Sequence, residues 1–285
     1  VHGREGAKKV APEKSRLIDI AADLLAEESG EAGYVYSGFC LTALPHRPLD
    51  PDAIWEKVAM SGRLKLTISP GVIPSISGPP KRYPVPSGAY ARLILLYLQG
   101  VAIKTSSPEI ELGSSMHEWL SRMGISSGGK TYRDIREQSR RIMACSLTFS
   151  WDKPGVGDHF ERDSIIRNGF LPFHNDIDDI RQGTLFAEKV TLSESFFQAV
   201  VEHPVPLWEP AIRHLSSSSM ALDIYVWLAF RLHNLSKPTP ITWTSMFQQF
   251  GGGFSQKSIR SFRQTFKEAL ALALATYPDA KVDVD

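Results

Sequence analysis

The chain has 285 residues, with 32 Lys and Arg against 31 Asp and Glu and a formal net charge of +1. Hydrophobic residues at 42% and aromatics at 10% describe a folded globular protein and exclude collagen, coiled coil and global disorder. No apolar run reaches the roughly 20 residues a bilayer requires, and the near-zero charge argues against holding nucleic acid by bulk cationic charge.

In chain order, residues 1–16 are basic and unpatterned and are expected to be frayed, and their first residues lack the apolar stretch of a secretory signal. Leu17, Ile20, Leu24 and Leu25 recur at helical spacing. Tyr34–Tyr36 and Phe39–Leu41 form a strand or turn before Pro45-His46-Arg47-Pro48, and residues 52–60 read as a short helix. Leu64, Leu66 and Ile68 alternate as a half-buried strand, after which 70–86 is a linker rich in Pro, Gly and Ser. Helices are expected over 87–104, from Ser114 to Gly124 and over 130–144, with a short strand at 109–112 between the first two. Strands follow at 147–151 and 185–192, separated by an acidic, poorly patterned insertion at 152–183.

An internal repeat defines the architecture. Ser115-Met116 recurs as Ser245-Met246, an offset of 130 that also places Ala91 on Ala221, Ile94 on Ile224, Tyr97 on Trp227, Leu98 on Leu228, Tyr132 on Phe262 and Arg133 on Arg263. The short strand should then recur at 240–243. The expected fold is α+β, with two tandem winged-helix (helix-turn-helix) modules and a small N-terminal extension. The units are an N-terminal segment 1–33, an extension and linker 34–86, a first module 87–205 with the acidic insertion in its wing, and a second module 206–285 whose wing is cut short.

In a helix-turn-helix, the last helix packs one face on its neighbours and turns the other toward the DNA major groove. In the first module Tyr132, Ile135, Ser139, Ile142 and Met143 share the packing face. Lys130, Thr131, Arg133, Arg136, Arg140 and Arg141 supply the candidate DNA surface, interrupted by Asp134 and Glu137. In the second module Ile259, Phe262, Phe266, Ala269, Leu270 and Ala273 form the packing face, and Gln256, Lys257, Arg260, Arg263, Gln264 and Lys267 the candidate DNA surface. Arg matches the guanine edge bidentately and Gln the adenine edge, while Lys suits phosphate. Charge is therefore sorted along the chain: five bases against two acids over 130–141, four bases and no acid over 257–267, and two bases against six acids over 158–179.

Gly124-Ile125-Ser126-Ser127-Gly128-Gly129-Lys130-Thr131 matches the phosphate-binding loop of nucleotide hydrolases, which would make the chain an NTPase. That chemistry needs a buried strand leading into the loop, whereas 116–123 reads as a helix, so a Gly-rich turn before a DNA-reading helix is the favoured assignment. Cys40 and Cys145 are too few for a disulfide framework and fit a reducing cytoplasm, and the histidines lack zinc-site spacing, so no cofactor or metal is expected. Cys40 and His46 are read as structural rather than as a nucleophile and its base.

Tyr36 to Arg47, Glu111 to Met116, Gly128 to Arg133 and Ser219 to Tyr225 together resemble the plasmid-encoded RepA family of replication initiators, from about residue 34 onward. The resemblance implies a non-enzymatic protein that binds double-stranded DNA at direct repeats (iterons) of a plasmid origin. It also implies melting of nearby DNA and recruitment of the host initiator ATPase and replicative helicase, with monomers active and homodimers inactive. A winged-helix transcriptional repressor is the alternative with the same fold, and one module could instead bind a protein partner.

Overall fold

The computed structural model describes residues 3–27, 30–74, 78–153, 157–169, 188–255 and 258–284. The fold is α+β, and the described residues combine helices with four small antiparallel sheets. At the N-terminus α1 (Gly3–Val10) folds back on α2 (Ser15–Ala26) instead of fraying. The cause is charge pairing that periodicity does not show: Arg4 bonds Asp19 and Asp23 at 2.7 Å each, and Lys8 reaches Asp19 at 2.6 Å. In α2 Ile20 and Leu24 are buried while Leu25 faces solvent.

Next come β1 (Ala32–Tyr36), α3 (Ser37–Leu41), β2 (Trp55–Val58), β3 (Leu64–Ser69), β4 (Gly71–Ile73) and β5 (Lys81–Tyr83). The helix expected over 52–60 is thus a strand. Its inward positions are Trp55 and Lys57, and the apolar Val58 points out, which inverts the usual pattern. Lys57 is buried because its ammonium donates to the Gln248 carbonyl. The expected linker contains the β4–β5 hairpin. Gly71 there lies against the C-terminal end of a later helix, where a Cβ would stand 1.6 Å from the Ala144 carbonyl oxygen.

The chain continues with α4 (Gly88–Thr105), β6 (Glu109–Gly113), α5 (Met116–Arg122), α6 (Gly129–Ala144), β7 (Ser146–Lys153), β8 (Gly157–Ser164), β9 (Ile166–Gly169) and β10 (Glu188–Leu192). Strands β8 and β9 lie in the acidic insertion, of which residues 154–156 and 170–183 are outside the described residues. Strand β10 joins β6 and β9 in a three-stranded antiparallel sheet. Strand β7 instead enters a sheet of order β2-β3-β7-β8, so β3 pairs along its length with the strand leaving α6.

The second half comprises α7 (Glu194–Glu202), β11 (Pro204–Trp208), α8 (Glu209–Leu215), α9 (Ser219–His233), α10 (Trp243–Phe250) and α11 (Ile259–Ala275). Strand β11 spans the boundary expected at 205/206 and pairs with β1. The strand expected at 240–243 does not form. Thr242 caps α10, accepting from the Ser245 N–H at 3.2 Å, and Trp243 is already helical. Strand β6 has β10 as its partner, whereas no strand follows α11 among the described residues, so the second copy offers nothing to pair with.

The repeat survives as packing. Ala91 and Ala221, Ile94 and Ile224, and Leu98 and Leu228 are all buried at matching places on α4 and α9. Two hydrophobic cores result, one around α4, α5, α6 and the strands, the other around α9, α10 and α11. Helix α4 belongs to both: Ile94, Leu95 and Leu98 enter the first, Leu93 and Leu96 the second.

Between the cores lies a buried polar junction. Arg92, 6% exposed, donates to both Asp223 carboxylate oxygens at 2.6 and 2.7 Å. Its other hydrogens go to the carbonyls of Leu44 at 2.6 Å, Pro45 at 3.2 Å and Gly88 at 2.9 Å. The His46 ring sits beside this pair, 3.0 Å from the Ser219 hydroxyl and 3.7 Å from Asp223. The strings 36–47 and 219–225 therefore meet at Arg92.

Burial, with the Arg92 cation adjacent, pushes His46 down from 6.5 to about 4; the Asp223 carboxylate opposes this and Lys57 adds to it. The unfolded chain takes up this proton below about pH 6.5, whereas the folded protein does so only near pH 4. Stability from this group is therefore complete above pH 6.5 and falls by about 3 kcal/mol as the pH drops to 4. In His46→Gln, the slope of unfolding free energy against pH should be shallower by one proton across that window.

Candidate nucleic-acid interface

The turn that joins α5 to α6 is built from local sequence. Helix α5 starts at Ser115, whose hydroxyl accepts from the Glu118 N–H at 3.1 Å. Glu118 in turn accepts from the Ser114 N–H and hydroxyl, both at 2.8 Å, and from Arg122 at 2.5 Å. These donors, the Ser114 amide first, hold the carboxyl down at about 2. The helix ends in a Schellman turn, with Gly124 N–H on the Ser121 carbonyl at 3.0 Å and Ile125 N–H on Leu120 at 2.8 Å. Gly124 is left-handed at φ 67°, and a Cβ there would meet the Arg213 side chain. Gly128 then caps α6.

The element entering the Gly124–Thr131 loop is thus a helix, and Lys130 lies exposed in the first turn of the next helix. A phosphate-binding loop requires a buried strand in that place.

On α6 the expected packing face is buried at Ile135, Ser139 and Ile142, with Tyr132 and Met143 partly buried against the same core. The basic face divides. Lys130 is exposed, and Arg133 is 75% exposed with Asp134 3.9 Å away. Thr131, Arg136 and Arg140 are half-buried. Arg141 turns inward, 14% exposed, donating to Glu137 at 2.9 Å and to the Val85 carbonyl at 3.4 Å. Its guanidinium ties α6 to the segment before α4 and is spent on the fold.

On α11 Phe262, Phe266, Ala269, Leu270 and Ala273 are buried, while Ile259 at the start of the helix is exposed. Arg260, Arg263, Gln264 and Lys267 all face solvent. Gln256 and Lys257 lie outside the described residues. Gln264 donates to Glu268 at 2.5 Å.

Trp243, which periodicity does not single out, forms a platform here. The Arg263 guanidinium lies 5.1 Å from its ring centroid and the Lys267 ammonium 5.6 Å. Phe266 braces the indole edge-on, with ring centroids 5.7 Å apart. The first copy has no counterpart, since the offset puts Gly113 at the position of Trp243 and Glu137 at that of Lys267.

The Cys40 thiol is buried, donates to the Tyr36 carbonyl at 3.9 Å and is pushed far above its ordinary value by burial. Burial likewise raises Cys145 to about 12. The His46 ring is engaged with Ser219 and the Arg92–Asp223 pair. Among the described residues, no His/Cys/Asp/Glu group could hold a metal ion, and no helix is long and apolar enough to cross a membrane.

In fold, the chain is similar to a crystal structure of RctB domains 2–3, at 11% identity and a TM-score of 0.50, with 82% of each chain covered. A selenomethionine derivative of the same two RctB domains matches at 10% identity and a TM-score of 0.50, covering 81% of this chain and 82% of that one. At such identities the likeness is one of fold alone. No curated protein matches the chain in sequence. The family described as plasmid encoded RepA protein matches residues 85–244. That match takes in more than half of the chain, from just before α4 to the start of α10, and includes the Arg92–Asp223 junction and all of α6. The chain therefore belongs to the plasmid-encoded RepA family, and its role is that of a plasmid replication initiator.

Proposed function

We propose that this initiator binds direct repeats in its plasmid origin as double-stranded DNA, reading them through α6 and α11. One observation carries the reading. The two helices occupy corresponding places in a repeated module, and each turns an apolar face to a core and a basic face outward. Two such helices in one chain suit two major-groove segments about one helical turn apart. Lys130, Arg133, Arg260, Arg263 and Lys267 are the exposed cations of this surface, with Thr131, Arg136, Arg140, Gln264 and the undescribed Gln256 and Lys257 as further contacts. Binding at the repeats would open the adjacent DNA and bring in the host initiator ATPase and replicative helicase, with dimerisation as the inactive form. The protein works by binding rather than as an enzyme. The buried thiols and the helix leading into the Gly124–Thr131 loop support this.

Footprinting on the plasmid origin tests the reading. Protection over tandem direct repeats is expected, and protection of a single palindrome would assign a repressor instead. With five exposed cations near the phosphates, affinity should fall about five-hundredfold between 50 and 200 mM salt. Equilibrium dialysis should find no tight ATP or GTP binding; tight binding that Lys130→Ala abolishes would establish the NTPase.

A further inference from the structure

We infer that α6 and α11 are held at one fixed separation by the Arg92 junction and the segment 43–69, so that the protein accepts paired DNA elements at a single spacing. The inference rests on the proposed reading of DNA by these helices. Tandem binding modules joined by a flexible tether tolerate changes in the distance between their sites, because the linker adjusts at small cost. Here the connection is a core rather than a tether. Helix α4 buries residues in both hydrophobic clusters. Arg92 on α4 and Asp223 on α9 join the two equivalent helices of the repeat through a bidentate pair.

The same guanidinium holds the backbone at Leu44 and Pro45, and from there the chain reaches both reading helices. Toward α11, the Arg47 guanidinium lies 5.9 Å from the ring centroid of Phe254 in the α10–α11 turn. Trp55 donates to the Ala43 carbonyl at 2.7 Å and lies against Gly252, where a Cβ would come within 2.6 Å of the indole. Lys57 donates to the Gln248 carbonyl near the end of α10. Toward α6, β3 pairs from Leu64 to Ser69 with β7, the strand that leaves that helix. A change in the separation of α6 and α11 would have to break buried polar contacts at several of these points together.

The test begins with a duplex that the full chain selects from a randomised pool. Variants of it carry two or ten base pairs inserted between the two protected elements, and affinities are measured by mobility shift. Two base pairs should weaken binding at least tenfold, and ten, which restore helical phase but not distance, should not recover it. Wild-type protein that binds the ten-pair insertion as tightly as the parent duplex overturns the fixed separation and leaves the DNA reading intact. A chain that selects no common sequence overturns the DNA reading, and the fixed separation with it. The double variant Arg92→Met, Asp223→Leu removes both charges without leaving either buried alone. Folded by circular dichroism, it should lower the two-pair penalty by about threefold, since the contacts of the segment 43–69 still hold both helices. An unchanged penalty in that folded variant overturns the assignment of the coupling to this pair.

Discussion

Replacing Asp223 with alanine should destabilise the protein by about 3–5 kcal/mol, measured by urea unfolding, because it leaves the Arg92 cation buried without its carboxylate. Arg92 is 6% exposed and the side chain of Asp223 13%, so solvent can screen little of the loss. The carbonyls of Leu44, Pro45 and Gly88 would still accept from the guanidinium, but neutral acceptors do not balance a full charge. Replacing both partners by apolar residues of similar volume should cost much less than either single change. That difference separates an uncompensated charge from a simple packing defect. Should Asp223→Ala and the apolar double variant prove equally unstable, packing around α4 and α9 would account for the whole effect.

The same junction shows where the fold could be read from the sequence and where it could not. The offset of 130 and the 3.6-residue period locate α4, α9, α6 and α11 and most of their buried faces, because apolar side chains must cover a core at regular intervals. The period gives no account of Arg92 within Leu-, Ile- and Ala-rich sequence, or of Asp223 beside Leu222 and Ile224. In both cases a charge interrupts an otherwise apolar helix, and that is the signal that marks a buried pair. Residues 52–60 mislead for a related reason: Lys57 is buried by donating to a distant carbonyl, so the polar residue faces in and Val58 faces out. Tertiary pairing also decides the fate of the short strands. Glu109–Gly113 has a partner in β10, while its counterpart at 240–243 has none among the described residues and instead leads into α10 with Thr242 as its cap. On α11 helical phase separates a buried face from an exposed one except at Ile259, but on α6 it cannot show that Arg141 is captured by Glu137, one turn away on its own helix.

Arg263→Glu should weaken binding to the selected duplex by more than a hundredfold, a larger loss than Arg133→Glu produces. A bidentate arginine on guanine is worth about 1–3 kcal/mol of discrimination, and charge reversal adds repulsion from the phosphates. Both arginines are exposed and occupy equivalent places in the repeat, so their surroundings set the difference. Arg133 has Asp134 beside it, whose carboxylate competes with DNA for the guanidinium. Arg263 lies over Trp243, a neutral ring that orients the cation without neutralising it, and it shares that ring with Lys267. An arginine restrained in this way gives up less side-chain freedom on binding. Trp243→Phe should therefore stay close to wild type, whereas Trp243→Ala should lose several-fold in affinity while the salt dependence is preserved, since no charge is removed. If Trp243→Ala instead flattened the salt dependence, the ring would be acting through the placement of α11 as a whole. Equal losses from Arg133→Glu and Arg263→Glu would mean that the platform contributes nothing beyond the charge it carries.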